Sequence, residues 1–337
     1  MEKRWKQRPT NSNWGDFGEN DQLGRINLIT SKKVLQGIAE VKTGKTFCLS
    51  LPLDYPGGNV VSPVRFPPDL KPVIRNNCKY YNYEWQKVTP GLTDIASDDR
   101  VLLYNQYSTQ WDSLAHRGSM FDADDDGLPE AVYYNGFRAG EHITIDKESH
   151  TSARALGIEN MAAHGVQGRG VMVDLYSYFG EHPRREVGYE DLMHIIDRDE
   201  VVVEVGDILC LWTGLDRLIL RMGGKPDLSV KNYCAVLNGF DDQLLKWISD
   251  SGVAAIASDN IAIEAVGKQL PEGYTGSNLP LHELCLFKLG IPLGELWLLA
   301  DLAEWLRANN RNRFLLTAPP LRLPGAVGSP VTPVATV

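Results

Sequence analysis

Apolar and polar positions along the chain recur with two periods, and the places where one gives way to the other mark its elements. Val34, Leu35, Ile38 and Val41 follow helical spacing, with Ser31 placed to cap and Gly44 to stop, which predicts a helix of about a dozen residues. Residues 46–51 alternate as a strand does, and Val101-Leu102-Leu103-Tyr104 has strand composition. Further on, 154–163 suits a short helix, 171–175 a buried strand and 189–196 another helix. Two strands, 201–205 and 208–212, are expected around a turn at Gly206. Residues 239–250 predict an amphipathic helix with Phe240, Leu244, Leu245 and Ile248 on one side. A short apolar strand at 253–257, a helix at 282–289, an apolar segment at 295–299 and a last strand at 313–316 follow, ahead of a Pro-rich tail. Strands and helices alternate with no repeat and no glycine-rich phosphate loop, which predicts an α/β chain of one domain.

Two stretches lack either period. Residues 1–30 read as an arm or loop. Residues 55–100 are rich in Pro, Gly, Asn and Asp, with Tyr80, Tyr81, Tyr83 and Trp85 among them. Such a loop is either a lid or binding loop or an irregular surface excursion, and the two readings stand equal.

Composition narrows the function classes. A chain of 337 residues can bury a sizeable core. A net charge of −9 argues against a nucleic-acid partner, whose binders carry basic patches. No apolar run reaches the roughly 18 residues of a membrane span, and the polar start Met1 to Gln7 lacks the apolar stretch of a signal peptide. A cytoplasmic protein is the expectation. Cys48, Cys78, Cys210, Cys234 and Cys285 are scattered and odd in number, so they read as reduced and mostly buried thiols rather than disulfides or a catalytic nucleophile.

The chemistry concentrates in residues 106–116, Gln-Tyr-Ser-Thr-Gln-Trp-Asp-Ser-Leu-Ala-His. Gln106, Thr109, Gln110, Asp112 and His116 can each ligate a metal or move a proton. On an extended backbone, residues of equal parity share a face, and Gln106, Gln110, Asp112 and His116 have equal parity. Trp111 has the opposite parity and is expected to pack behind them. The competing reading is a polar strand edge with one His on a loop, and spacing alone does not choose between the two.

The stretch resembles the signature His-x-Gly-Thr-His-x-Asp-x-Pro-x-His of the cyclase family that includes bacterial kynurenine formamidases, isatin hydrolases and a trans-dienelactone hydrolase. Thr109, Asp112 and His116 match it, while Gln106 and Gln110 stand where that signature has its two ligand histidines, Ser108 for its Gly and Leu114 for its Pro. The resemblance runs along nearly the whole chain: Trp14-Gly15, residues 21–27, 168–174, 206–209, Thr213-Gly214, and His282-Glu283-Leu284 followed by Gly294-Glu295-Leu296. It implies a swivelling β/β/α fold with a mixed sheet and flanking helices. It implies an N-terminal arm and first helix at 1–45, a catalytic domain at 46–320 and a C-terminal tail at 321–337. It also implies a metal held by Asp112, His282 and Glu295 with Gln110 and Gln106 helping, His116 moving protons, and a homodimer or higher homo-oligomer acting on a small molecule.

A divalent ion needs donors converging from separate segments, and Asp112 and Glu295 would balance its charge. Imidazole with carboxylates suits Zn2+, and oxygen-rich sets suit Mn2+ or Mg2+. Zn2+ is favoured on the family's strength, and Mn2+ stays open. The expected activity is hydrolysis of a small cyclic ester or amide, the lactone-opening branch first among those named. The rivals are a metal-free lyase or isomerase using Gln106 and Gln110 as amide donors, and a binding protein that has lost the ion. Other candidates carry less. Residues 122–127 imitate the start of an EF-hand loop but place Tyr133 where its bidentate Glu belongs. His164 reads as a helix-end residue, Asp259 as a turn or cap, and His142, His150, His182 and His194 as surface groups. Ser108 and Ser113 lie near His116, but no Gly-x-Ser-x-Gly elbow is present.

Overall fold

The computed structural model describes residues 3–181, 183–270 and 272–337. Strands β1 (Thr46–Cys48), β2 (Gln110–Asp112), β3 (Gln167–Asp174), β4 (Ile208–Trp212), β5 (Ala255–Ser258), β6 (Leu293–Glu295), β7 (Arg313–Thr317), β8 (Gly328–Pro330) and β9 (Val334–Thr336) form one sheet. Their order is β1-β9-β7-β3-β4-β5-β6-β2-β8. The central run from β3 to β6 is parallel. The outer pairs are antiparallel.

Parallel strands need both faces covered, and β4 and β5 are buried at every position. Alternate side chains divide between two apolar cores, as a period of two requires. Val171, Val173, Leu209, Leu211, Ile256 and Leu293 face one core. There they meet Leu192 and Ile195 of the helix Tyr189–Arg198 and Leu244 and Ile248 of the helix Asp242–Ser251. Trp111, Met172, Cys210, Trp212 and Ala257 face the other core, with Leu302 and Leu306 of the helix Ala300–Ala308. Asp241 ties two helices of the first core together: it caps Asp242–Ser251 through the N–H groups of Gln243 and Leu244 and also accepts from Tyr189.

The first helix spans Ser31–Ala39, with the Thr30 side chain as its cap. Its apolar spacing misleads about its face: Leu35 and Ile38 are exposed, and Lys33 and Gly37 are buried. Gly37 lets the helix approach so closely that a Cβ there would stand 2.8 Å from the Gly168 carbonyl oxygen. Lys33 reaches the buried Asp207 at 2.9 Å, and Asp207 also binds Arg169 through both of its oxygens.

Three other expectations change. Residues 201–205 form no strand; they are a loop leading into the Gly206 turn, where the Glu204 N–H binds the Asp207 carboxylate. Residues 321–337, expected as a tail, contribute β8 and β9 to the sheet. The prolines are tolerated because β8 is an edge strand, where Pro330 deprives no neighbour of a ladder hydrogen bond. Residues 55–100 are not irregular throughout. They contain three short two-stranded ribbons, Asp69–Pro72 with Asp99–Leu102, Ile74–Arg75 with Cys78–Lys79, and Tyr83–Glu84 with Ile95–Ala96.

The N-terminal arm is loop and turn, but it is closely packed. Trp14 is buried, donates to the Phe287 carbonyl at 2.7 Å and meets the Phe287 ring edge-on at 5.2 Å. That anchors the segment that carries His282. Cys210, Cys234 and Cys285 are buried and Cys48 and Cys78 exposed, all as free thiols. Among the described residues, no helix is long and apolar enough to cross a membrane.

Candidate metal centre

β2 lies between β6 and β8, and its register places the chemistry. Gln110 stands opposite Glu295 and Pro330, and Asp112 opposite Leu293 and Gly328. Trp111 points to the other face, as its parity predicts. It is buried against Trp297 with ring centroids 5.0 Å apart and donates to the Ala318 carbonyl. Glu295 closes β6, so the cluster sits beyond the carboxyl end of a parallel strand, where open α/β sheets place their sites.

Asp112, His282 and Glu295 are all buried and present donor atoms within 4.8 Å of one another. His282 lies 3.3 Å from Glu295 through Nε2 and 2.8 Å from Glu264 through Nδ1. Glu264 also accepts the backbone N–H groups of Leu281 and His282. It thereby caps the short helical segment Pro280–His282 that leads into the π-helix Glu283–Leu289. Gln110 donates its Nε2 to Glu295 at 2.8 Å. Burial alone would lower the His282 pKa, but the hydrogen bonds its ring donates to Glu264 and Glu295 and their charges more than offset it and raise it to about 9. Burial pushes Asp112 up to about 6, and Glu295 adds to that, against the pull of His116 and His282.

Both oxygens of Asp112 and the Oε1 of Gln110 are buried with no hydrogen-bond donor among the described residues. Orphaned buried oxygens cost free energy unless something satisfies them. Three of them beside a second carboxylate and an imidazole fit a divalent cation. The donor set is one nitrogen and several oxygens.

His116 keeps 22% of its side chain exposed, with Nε2 3.7 Å from Asp112. Gln106 places its Nε2 3.4 Å from Nδ1 on the other side of the ring. Burial lowers the His116 pKa, partly countered by Asp112, which keeps the imidazole available as a base near neutral pH.

The structure therefore brings Gln110, Asp112, His282 and Glu295 into one cluster, sets His116 at its edge and leaves Gln106 one residue further out. The parity argument holds only for Gln110 and Asp112. The chain turns at 105–106 and again at 113–116, so Gln106 and His116 meet through those turns and not on one extended face. Thr109 takes no part: its hydroxyl accepts from the Leu51 N–H and donates to the Leu296 carbonyl.

Two residues escaped the sequence. Glu264 is the first, although a single carboxylate within Ile-Ala-Ile-Glu-Ala-Val is a sign of a buried functional charge. Gly328 is the second: a Cβ there would lie 2.4 Å from the Gln106 amide, so only glycine lets that side chain lie across β8. The backbone is strained at both carboxylates. Ile263, before Glu264, has φ +58°, and Leu296, after Glu295, has φ +55°. Such conformations cost about 1–3 kcal/mol each and gather at functional sites.

The remaining candidates resolve into structure. Asp259 accepts from the Thr213, Gly214 and Asp216 N–H groups, the start of the helix Leu215–Arg221. Asp122 accepts from the Asp126 and Gly127 N–H groups, and Arg138 lies on both Asp124 and Glu130, so the acidic turn supplies its own cation. Ser108 and Ser113 donate to backbone carbonyls. His164, His150 and His194 are exposed. His142 is not a free surface group; it accepts from the Arg138 N–H and meets the Phe137 ring edge-on. His182 lies outside the described residues.

Comparison with known proteins follows the same lines. The family model described as "Putative cyclase" matches residues 49–265. The crystal structure of a novel cyclase is 30% identical, covering 97% of this chain and 99% of that one, with a TM-score of 0.76. Isatin hydrolase A from Ralstonia solanacearum is 14% identical with a TM-score of 0.53, over 86% of this chain and 91% of that one. Isatin hydrolase A from Labrenzia aggregata, bound to benzyl benzoate, is 11% identical with a TM-score of 0.54, over 90% and 97%. No curated protein sequence matches the chain. The family match over most of the chain, and a structural relative aligned along nearly its full length, place this protein in the putative cyclase family.

Proposed function

We propose that the protein is a metal-dependent hydrolase that opens a small cyclic ester or cyclic amide. The carrying observation is the set of three buried, donorless oxygens on Asp112 and Gln110 beside Glu295 and His282. The isatin hydrolases of the same fold act, by their name, on a cyclic amide, which supports the substrate class. When bound, a divalent ion supplies Lewis acidity and lowers the pKa of water from 15.7 to about 7.

Asp112, Glu295 and the Nε2 of His282 would hold the ion, with the Gln110 Oε1 as a fourth donor. One imidazole with two carboxylates suits Zn2+, and the amide oxygen moves the set toward Mn2+. Glu264 fixes the His282 ring by accepting a hydrogen bond from its Nδ1–H, the usual device for orienting a ligand imidazole. Gln110 fixes Glu295 in the same manner. Gln106 holds His116, whose ring is the proton carrier at the edge of the cluster. As base it takes a proton from the attacking water, whose oxygen bonds to the substrate carbonyl carbon. As acid it returns that proton to the alkoxide or amine released when the ring C–O or C–N bond breaks.

A metal-free reading needs the amide groups of Gln106 and Gln110 as donors to substrate. Both amides are already engaged, Gln106 with the His116 ring and Gln110 as donor to Glu295, which weighs against it. Elemental analysis of purified protein, followed by chelation and a panel of lactones, imides and N-formyl compounds, tests the proposal. One Zn2+ or Mn2+ per chain, with turnover lost on chelation and restored by the ion, is expected. Turnover unaffected by thorough chelation would overturn it.

A further inference from the structure

Arg65 is an arginine without an ion-pair partner at the edge of the cluster. Its Nη1 donates to the Gln106 carbonyl at 2.7 Å, and it makes no salt bridge among the described residues. It lines a cavity of about 30 Å3 with Gln106, Ser62, Asn59 and Leu296. Two of those residues adjoin the centre: Gln106 contacts His116, and Leu296 follows Glu295. The charge of Arg65 is felt at both Asp112 and His116.

The electrostatic balance gives this arginine a purpose. Asp112, Glu295 and Glu264 carry three negative charges when ionised, and a divalent ion answers two. An anionic ligand entering such a centre is repelled unless a further cation meets it. Guanidinium is suited to that task because its planar fork binds a carboxylate through two N–H groups and stays charged at any working pH. With Nη1 engaged by a backbone carbonyl, the rest of the fork stays available and its orientation is fixed in advance.

We propose that Arg65 binds a carboxylate carried by the substrate, so that the preferred substrates are small cyclic esters or amides bearing an acid group. This rests on the hydrolase reading for the chemistry, but the binding role stands apart from it. The cavity beside the guanidinium has room for about one water, and the acid group displaces that volume.

The test separates the two ideas. Calorimetry with cyclopentanecarboxylate and with neutral cyclopentanecarboxamide uses probes that have no ring bond to hydrolyse. Wild-type protein should bind the carboxylate at least tenfold more tightly. Arg65→Met should erase the difference while its thermal melt stays that of the wild type, and Arg65→Lys should retain part of it. Equal binding of the two probes by the wild type, binding of neither, or a preference that survives in Arg65→Met would overturn the proposal. In turnover, Arg65→Met should raise KM about tenfold for 5-oxotetrahydrofuran-2-carboxylate, with kcat within twofold, and leave γ-valerolactone unchanged. Equal KM changes for both lactones would count against Arg65 alone. Failure of the metal-loaded wild type to open either lactone would count against the hydrolase reading, while the calorimetry would still decide the role of Arg65.

Discussion

At the end of β6, side chains from distant parts of the chain hold one another around three buried oxygens that have no donor among the described residues. Glu264 meets His282, Gln110 meets Glu295, and Trp14 pins the segment carrying His282 from the far N-terminus. The ribbons at 69–102 are the opposite case. Leu70, Ile74, Ile95, Val101 and Leu102 are more than half exposed, and each ribbon pairs only with itself. Two-stranded ribbons are marginal in water. What this arm has is local: Tyr80, Tyr83 and Trp85 meet edge to face or tilted, with Arg75 over Trp85 at 4.7 Å. The contrast teaches that burial and long-range pairing hold the centre rigid enough to keep three oxygens unsatisfied and two residues strained, while the arm has no such reserve. Substitutions should therefore act strongly at the first and weakly at the second.

The largest expected effect is at Glu264. Glu264→Ala leaves a buried imidazole and two backbone N–H groups without an acceptor, and breaking a buried pair from one side costs about 3–5 kcal/mol. Metal affinity should fall by about 10–100-fold as the His282 ring loses its orientation. Glu264→Gln keeps one acceptor oxygen and should lose less of both. Urea unfolding and metal titration measure the two quantities. A loss below about 1 kcal/mol in Glu264→Ala, with affinity intact, would mean the centre is not over-determined as described.

His116→Ala should leave folding and metal content near wild type, because the ring is partly exposed and makes one contact at 3.7 Å to the cluster. Turnover should fall about 10²–10⁴-fold, the worth of a positioned proton carrier. Retention of more than a tenth of the rate would remove His116 from the mechanism.

Gly328→Ala should be milder. The new Cβ meets the end of the flexible Gln106 side chain, which can swing aside, and stands 3.0 Å from the Trp111 carbonyl, which cannot. A cost at the low end of the roughly 1–3 kcal/mol for overpacking is expected, with kcat reduced because Gln106 leaves His116. In a Gln106→Ala background the same change should have no further effect on kcat, since neighbours acting through one contact are not additive. Additive losses in the double variant would break the link between glycine, amide and imidazole.

The same contrast explains what was legible in the sequence. Buried strands announced themselves, because both faces of β4 and β5 are covered and their runs are uniformly apolar. The parity of Gln110, Trp111 and Asp112 was readable because three consecutive residues are truly extended. Gln106 and His116 share that parity only by accident, since turns bring them together. His282 and Glu295 came from family resemblance, as nothing local says that two segments so far from β2 meet there. Glu264 was hidden because its partner lies 18 residues on and its task is to hold another side chain. The C-terminal strands were hidden because three-residue strands with prolines carry no period, and only the sheet edge they join makes them strands. In the ribbons, Val101 and Leu102 have the strand composition read from the sequence and do lie in a strand, but they face solvent.

The smallest effect should come from the arm. Ile95 is 67% exposed and pairs with Glu84 in a ribbon of two residues per strand. Removing an exposed side chain away from caps, cores and charge networks changes stability by no more than about 0.5 kcal/mol. Ile95→Asn should therefore unfold in urea at the wild-type midpoint, bind the metal as before and turn over at the wild-type rate. Trp85→Ala is the sharper companion, because it removes two of the three contacts among Tyr80, Tyr83 and Trp85. It should open 69–102 to limited proteolysis while the metal centre stays unchanged, since the aromatic and cation–π partners described for those rings all lie within 75–85. If Ile95→Asn instead lost more than about 1.5 kcal/mol, three times the surface range, the side chain would have to be covered in solution. A loss that grew on dilution would place the cover on a second copy of the chain; a loss independent of concentration would place it on the chain itself. Either result would erase the line drawn between the two regions, because the arm would then share the long-range support that sets the centre apart.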